Sequence, residues 1–190
     1  VCAGHSAAQG QQILGPAEAR AQYVLDPAHT QVEFSVNRFG FNRTLGRFDA
    51  VSGAIVLDRA DPARSSVMAI VRTDSVSAGD PRRDEHLRGE RWLNTSQFPT
   101  MEFRSTSVRL TGDHTAEVAG DLTLRGRTHA VTLTVTLNQI GPDPANGAQA
   151  AGFSATGTVS RLAFGVGAGV PESLIGDDVR ITIEALGQIE

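Results

Sequence analysis

The chain has 190 residues, of which 40% are hydrophobic, and a formal net charge of −4. That length supports one well-buried core rather than two full-sized domains, and the modest charge without blocks of one sign excludes a nucleic-acid footprint or a polybasic membrane patch. All 17 basic residues are arginine and the only cysteine is Cys2, which excludes chemistry at a side-chain amine, a disulfide framework and a cysteine-rich metal site.

Residues 1–22 are small and polar and differ from all that follows. Ala3-Gly4-His5-Ser6-Ala7-Ala8 has the small-residue character of a secretory cleavage region, so the tail is read as an export remnant and the protein as periplasmic or secreted. Lipidation at Cys2 and a plain disordered tail are the alternatives. No run of about 18 apolar residues is present to span a bilayer as a helix. A single domain is expected over residues 23–190.

From Tyr23 onward apolar and polar residues alternate with a period of two, the pattern of strands with one dry face. Val32 to Val36 opens the series, and Leu45 to Leu57 and Ser66 to Val76 follow. After an interruption come Met101 to Arg104, Val118 to Leu124, Val131 to Leu137, Phe153 to Val159 and Val179 to Glu184, eight predicted strands in all. Asp-Pro pairs beginning at Asp26, Asp61, Asp80 and Asp143 fall between periodic segments, where proline presets a turn and aspartate bonds its own backbone. The interruption, Pro81 to Thr100, carries a short helix over Arg82 to Arg88 that opens after Asp80-Pro81 and stops at Gly89. Residues 141–150 are expected to form a hairpin loop. Gly165 to Gly169 is expected as a flexible loop, because the last glycine of a dinucleotide fingerprint and its βαβ setting are absent.

One-sided antiparallel strands close into a sandwich or a barrel. Read as one strand, Leu45 to Leu57 spans about 43 Å at ~3.3 Å per residue, which favours a deep all-β barrel of eight antiparallel strands, capped at one end by the helix.

The dry faces name the candidate lining of that barrel. Phe34 and Val36 lie on the first strand, Phe39 and Phe41 just after it, and Phe48 on the second. Leu87, Trp92 and Phe98 belong to the helical interval and are expected to turn inward and close or gate one mouth. Phe103, Leu122, Leu124, Leu133 and Val135 continue the set, and Phe164 completes it. Arg82, Arg83 and His86 are the candidate polar mouth. The histidines, His5, His29, His86, His114 and His129, lie too far apart in sequence to suggest a metal pair, and Gly152-Phe153-Ser154-Ala155-Thr156 lacks the last glycine of a nucleophile elbow. No catalytic residue or metal ligand is nominated.

Four segments carry a family resemblance. Tyr23-Val24-Leu25-Asp26-Pro27-Ala28-His29-Thr30, followed by Val32-Glu33-Phe34-Ser35-Val36, resembles the opening strand of YceI-like proteins. Arg83-Asp84-Glu85-His86-Leu87-Arg88 is similar to their RDxHL helix, Phe98-Pro99-Thr100-Met101-Glu102-Phe103 to the segment after it, and Gly120-Asp121-Leu122-Thr123-Leu124-Arg125-Gly126 to their GDLTLRG hairpin. Two places depart: Arg38-Phe39-Gly40 stands where the family commonly has a histidine, and Arg161-Leu162-Ala163-Phe164-Gly165 lacks the family's acid. The resemblance implies a periplasmic, lipocalin-like barrel with a polyisoprenoid chain, such as a quinone tail, in its interior.

The combined expectation is a non-enzymatic carrier or store of a long apolar lipid, with an isoprenoid or quinone-type lipid as bound ligand and no cofactor required. Heads on chains of equal length are expected to matter by no more than about tenfold. A lipid-modifying enzyme using Asp84, Glu85 and His86, and a filled barrel without ligand, are the rival readings. Transient membrane contact and a homodimer stay open at this point.

Overall fold

The structure is a computed structural model that describes residues 19–189. Its strands are β1 (Arg20–Leu25), β2 (Gln31–Arg38), β3 (Asn42–Phe48), β4 (Val51–Asp58), β5 (Ser66–Arg72), β6 (Val76–Ser77), β7 (Thr100–Leu110), β8 (Thr115–Leu124), β9 (Arg127–Pro142), β10 (Gln149–Ser160) and β11 (Ile175–Gln188). One α-helix among the described residues, α1 (Pro81–Arg88), lies between β6 and β7. Strands β1, β4, β5, β7, β8, β9, β10 and β11 follow one another antiparallel around a ring, which closes where Val24 and Leu25 meet Gln188 and Gly187. This is the expected eight-stranded antiparallel barrel. Most successive strands are joined by short turns, and closure leaves the ring without an edge.

The tail readings centred on Cys2 and the small residues after it fall on residues 1–18, outside the described residues, while β1 already begins at Arg20.

Strand segments outnumber the predicted strands because the first three runs bend. β1 and β2 are one run interrupted at Asp26 to Thr30, β3 and β4 one run interrupted at Asp49 and Ala50, and β5 and β6 one run interrupted by the 3-10 turn Thr73–Ser75. At the first bend the Asp26 carboxylate accepts the Ala28 N–H at 2.8 Å and pairs with His29 Nδ1 at 2.7 Å, the local bonding that aspartate offers a turn. The other two bends brace each other. The N–H groups of Asp49 and Ala50 donate to the carbonyl and hydroxyl oxygens of Ser75, and the buried Thr73 hydroxyl donates to the Phe98 carbonyl at 2.6 Å. The single strand expected from Leu45 to Leu57 is therefore two, and Leu45 points to solvent with 67% of its surface exposed.

Phe34 faces Gly46 across the β2–β3 pair, and a Cβ at Gly46 would stand 2.3 Å from the Phe34 ring. The missing side chain is the space the ring occupies. Gly46→Val is expected to lower the unfolding free energy by about 1–3 kcal/mol, the usual cost of overpacking, measured by urea unfolding.

Residues 78–99 cover one end of the ring. Asp80 caps α1 by accepting the N–H groups of Arg82 and Arg83 at 2.9 and 3.0 Å, with Pro81 in the first turn as expected from the sequence. Asp84 accepts the Ala78 N–H at 2.6 Å, and Arg88 donates to the carbonyls of Asp74 and Val76 at 2.9 and 3.0 Å, which fastens the helix to β6.

The connection from β10 to β11 folds under the same end around Arg161, whose surface is 3% exposed. Its guanidinium donates to the carbonyls of Gly176, Val166, Gly167, Val170 and Ile175 at 2.6 to 3.1 Å, so all five of its N–H groups are used. Burial pushes its pKa below the ordinary arginine value, while the charges of Asp177 and Glu172 oppose that shift. The stretch from Gly165 to Gly169, expected as a flexible loop, is instead a wound turn gathered by Arg161, with Phe164 and Val166 only 1% and 9% exposed. A Cβ at Gly167 would lie 2.7 Å from the Trp92 ring, so this glycine, at a φ of 65°, lets the turn pack on the tryptophan. Arg161→Met leaves those carbonyls without their donor and is expected to cost at least about 3 kcal/mol of stability. Arg161→Lys, which keeps three donors, should cost less in the same unfolding measurement.

Candidate functional site

Inside the ring lies a cavity of about 530 Å³. Its wall is the inward set of each strand. β2 contributes Phe34 and Val36, β4 contributes Val51, Ile55 and Leu57, and β5 contributes Val67, Ala69 and Val71. Phe103 of β7, Leu122 and Leu124 of β8, Leu133 and Val135 of β9, and Ile181 and Ile183 of β11 continue it. Spacings of two within each strand put these residues on one face of the pleat. Phe48 belongs to the same wall, with its ring centroid 5.6 Å from that of Phe34.

The floor is made by Leu87, Trp92 and Leu93 with Val76, Val166 and the stem of Arg161. Arg125 holds it by donating to the Trp92 carbonyl and, at 3.0 Å, to the Gly165 carbonyl. At the opposite end the lining runs through Leu110, Leu137 and Ile140 to a polar rim of Arg59, Ser65, Asp113 and His114. No buried side-chain nitrogen or oxygen among the described residues lacks a hydrogen-bond partner. The deep cavity therefore offers a guest apolar surface and no unmet polar group.

Ten of the nominated lining residues face this cavity: Phe34, Val36, Phe48, Leu87, Trp92, Phe103, Leu122, Leu124, Leu133 and Val135. Four do not. Phe39 and Phe41 sit on the turn between β2 and β3, 40% and 89% exposed, because positive φ values at Phe39 and Gly40 end the alternation at Arg38. Phe98 packs beneath the β8–β9 hairpin, within 3.0 Å of the position a Gly126 Cβ would take. Phe164 is core, edge-on to His129 at 4.9 Å between ring centroids.

The nominated polar mouth is also misplaced. Arg82, Arg83 and His86 lie on the exposed side of α1, at the floor end, and none borders the cavity; Arg83 donates to the Ala78 carbonyl at 3.0 Å. Of α1, Leu87 alone turns to the cavity. Of the rival catalytic group on the same helix, Asp84 accepts the Ala78 N–H, Glu85 lies 3.8 Å from Arg88, and none of Asp84, Glu85 and His86 borders the cavity. Sequence reasoning passed over Arg59 and His114. Their signal was present, since each extends the inward period of its strand by one step beyond the last apolar residue.

Residues 23–186 match the family model described as YceI-like domain. The chain belongs to the YceI-like family. It is 38% identical to a UPF0312 protein of Shewanella putrefaciens over 164 residues, 85% of each chain. A UPF0312 protein of Pseudomonas putida is 34% identical over 185 residues, 95% of each. Among solved structures, Burkholderia cenocepacia BcnA superposes with a TM-score of 0.78 at 26% identity, covering 85% of this chain and 98% of that one. A domain from Saccharophagus degradans described as polyisoprenoid-binding shares the fold with a TM-score of 0.64 at 16% identity, over 88% of this chain and 98% of its own.

Trp92 sets the depth of this YceI-like barrel. Trp92→Ala is expected to cost about 3 kcal/mol of stability and to move the optimum of a chain-length binding series toward longer chains. Urea unfolding and competition binding read the two effects separately.

Proposed function

We propose that this protein is a non-enzymatic carrier or store of a long apolar lipid, polyisoprenoid or quinone-type, with the chain held inside the barrel. The observation that carries the reading is the cavity of about 530 Å³ inside the ring, walled by apolar side chains and floored by Trp92. At roughly 30 Å³ per methylene-sized group, near the share of one water molecule, that volume takes about 18 carbons. Burying them is worth ~14 kcal/mol gross at ~0.8 kcal/mol each, before association and ordering are subtracted, so the chain is the main source of affinity. The name of the Saccharophagus degradans domain, a polyisoprenoid-binding protein of the same fold, supports the ligand class.

A periplasmic or secreted location belongs to the same proposal, supported by the small-residue character of Ala3 to Ala8. Transient contact with a membrane is supported by the exposed Phe39 and Phe41 beside Arg38, which stacks on Phe39 at 4.3 Å. Mass spectrometry of an organic extract of the purified protein should reveal a stoichiometric prenyl lipid. Leu133→Trp, which fills the bore, should lower binding of an added prenyl chain more than tenfold, about 1.4 kcal/mol, while the protein stays folded by circular dichroism. An empty extract together with wild-type protein that takes up no added chain would establish the filled-barrel reading instead.

A further inference from the structure

The apolar wall changes character at the rim. On β4 the inward positions Val51, Ile55 and Leu57 continue by the same period of two to Arg59, and on β8 Val118 and Ala116 continue to His114; both side chains border the cavity. Arg59 is also close enough to the buried Tyr23 for its charge to oppose the upward shift that burial gives the tyrosine pKa. Among the described residues neither the Arg59 guanidinium nor the His114 ring enters a hydrogen bond or an ion pair. Both side chains are exposed, so their donors are open to solvent and to the head of a guest at the rim.

Two carboxylates share this rim. Asp58 accepts the N–H groups of Ala60 and Asp61 at 3.1 and 2.8 Å and lies 3.9 Å from both Arg20 and Arg64. Asp113 borders the cavity next to His114. Asp58 is already matched by Arg20 and Arg64, so Asp113 is the carboxylate that faces a guest; an anionic head would meet it as a like charge, whereas a neutral carbonyl accepts a hydrogen bond from Arg59 without that penalty. At the other end of the cavity the guanidinium of Arg161 has no N–H left to give. Only the rim can read a head.

We propose that Arg59 and His114 form a head-group site for a neutral, carbonyl-bearing lipid, whose chain runs down the bore to end against Trp92. The site rests on the carrier reading above and adds to it the orientation of the cargo and the class of its head.

Trp92 is the only tryptophan, so its fluorescence reports the floor alone. The probes are methyl stearate, octadecane, octadecyl phosphate, and methyl stearates carrying a nitroxide either beside the ester or at the far end of the chain. Wild-type protein is expected to bind methyl stearate about tenfold more tightly than octadecane, the margin of one good hydrogen bond to a charged donor. Arg59→Gln should remove that margin by weakening methyl stearate binding about tenfold, and His114→Ala should reduce it. The far-end nitroxide should quench Trp92 more than the one beside the ester. A margin that survives Arg59→Gln, or stronger quenching from beside the ester, overturns the site. Tighter binding of octadecyl phosphate than of the ester overturns the neutral-head assignment. Uptake of ester and octadecane with equal affinity removes the head site but leaves the carrier standing, whereas uptake of neither removes both.

Discussion

The edge of β11 opposite β10 is the constraint on which the rest of the barrel depends. This strand has 14 residues, and its edge opposite β10 is shared by β1 at one end and β2 at the other. The chain must therefore bend between β1 and β2 without leaving β11. Asp26 meets that requirement twice, donating its N–H to the Leu186 carbonyl at 2.8 Å while its carboxylate builds the turn with Ala28 and His29. The hydrogen bond from His29 holds the Asp26 carboxyl below the ordinary carboxylate range. Without that join the ring would be an open sheet with two unpaired edges, and the cavity a cleft reached by water along its whole length.

An eight-stranded barrel is wide enough either to be filled by its own side chains or to hold one small guest, and residue size at the inward positions decides which. Here the inward positions alternate large and small. Phe34 faces Gly46, Phe103 presses on Gly120, and Ala69 and Ala155 stand among the valines and leucines. Large rings take the room their glycine partners vacate, so they thicken the wall without closing the bore. The floor works differently: Arg161, Arg125 and Arg88 tie irregular backbone into place by donating to carbonyls, which lets loops without regular pairing seal an apolar space.

Strand identity and the lining were legible where alternation ran undisturbed, as from Val131 to Leu137, because a period of two leaves one choice of face. The helix was legible through Asp80-Pro81 and Gly89, whose capping chemistry is local. What was hidden depends on contacts distant in sequence. The bend at Asp49 is stabilised by Ser75, and the wound turn after Phe164 by the carbonyls that Arg161 collects from as far away as Gly176. The aromatic residues Phe39, Phe41, Phe98 and Phe164 were nominated on hydrophobicity alone, outside any alternating run, and all four face elsewhere. The helix charges were nominated because they cluster, although they occupy the end that is sealed.

The sealed floor and the single rim have a kinetic consequence. A tube reached from one side is exchanged by substitution rather than by flow: the first cargo must withdraw before a second can be seated. Under the carrier reading proposed above, transfer to an acceptor would follow the spontaneous exit of the guest, with a rate that levels off as acceptor is added. Residence time of any guest would then be set by how much of it is buried between Trp92 and the rim.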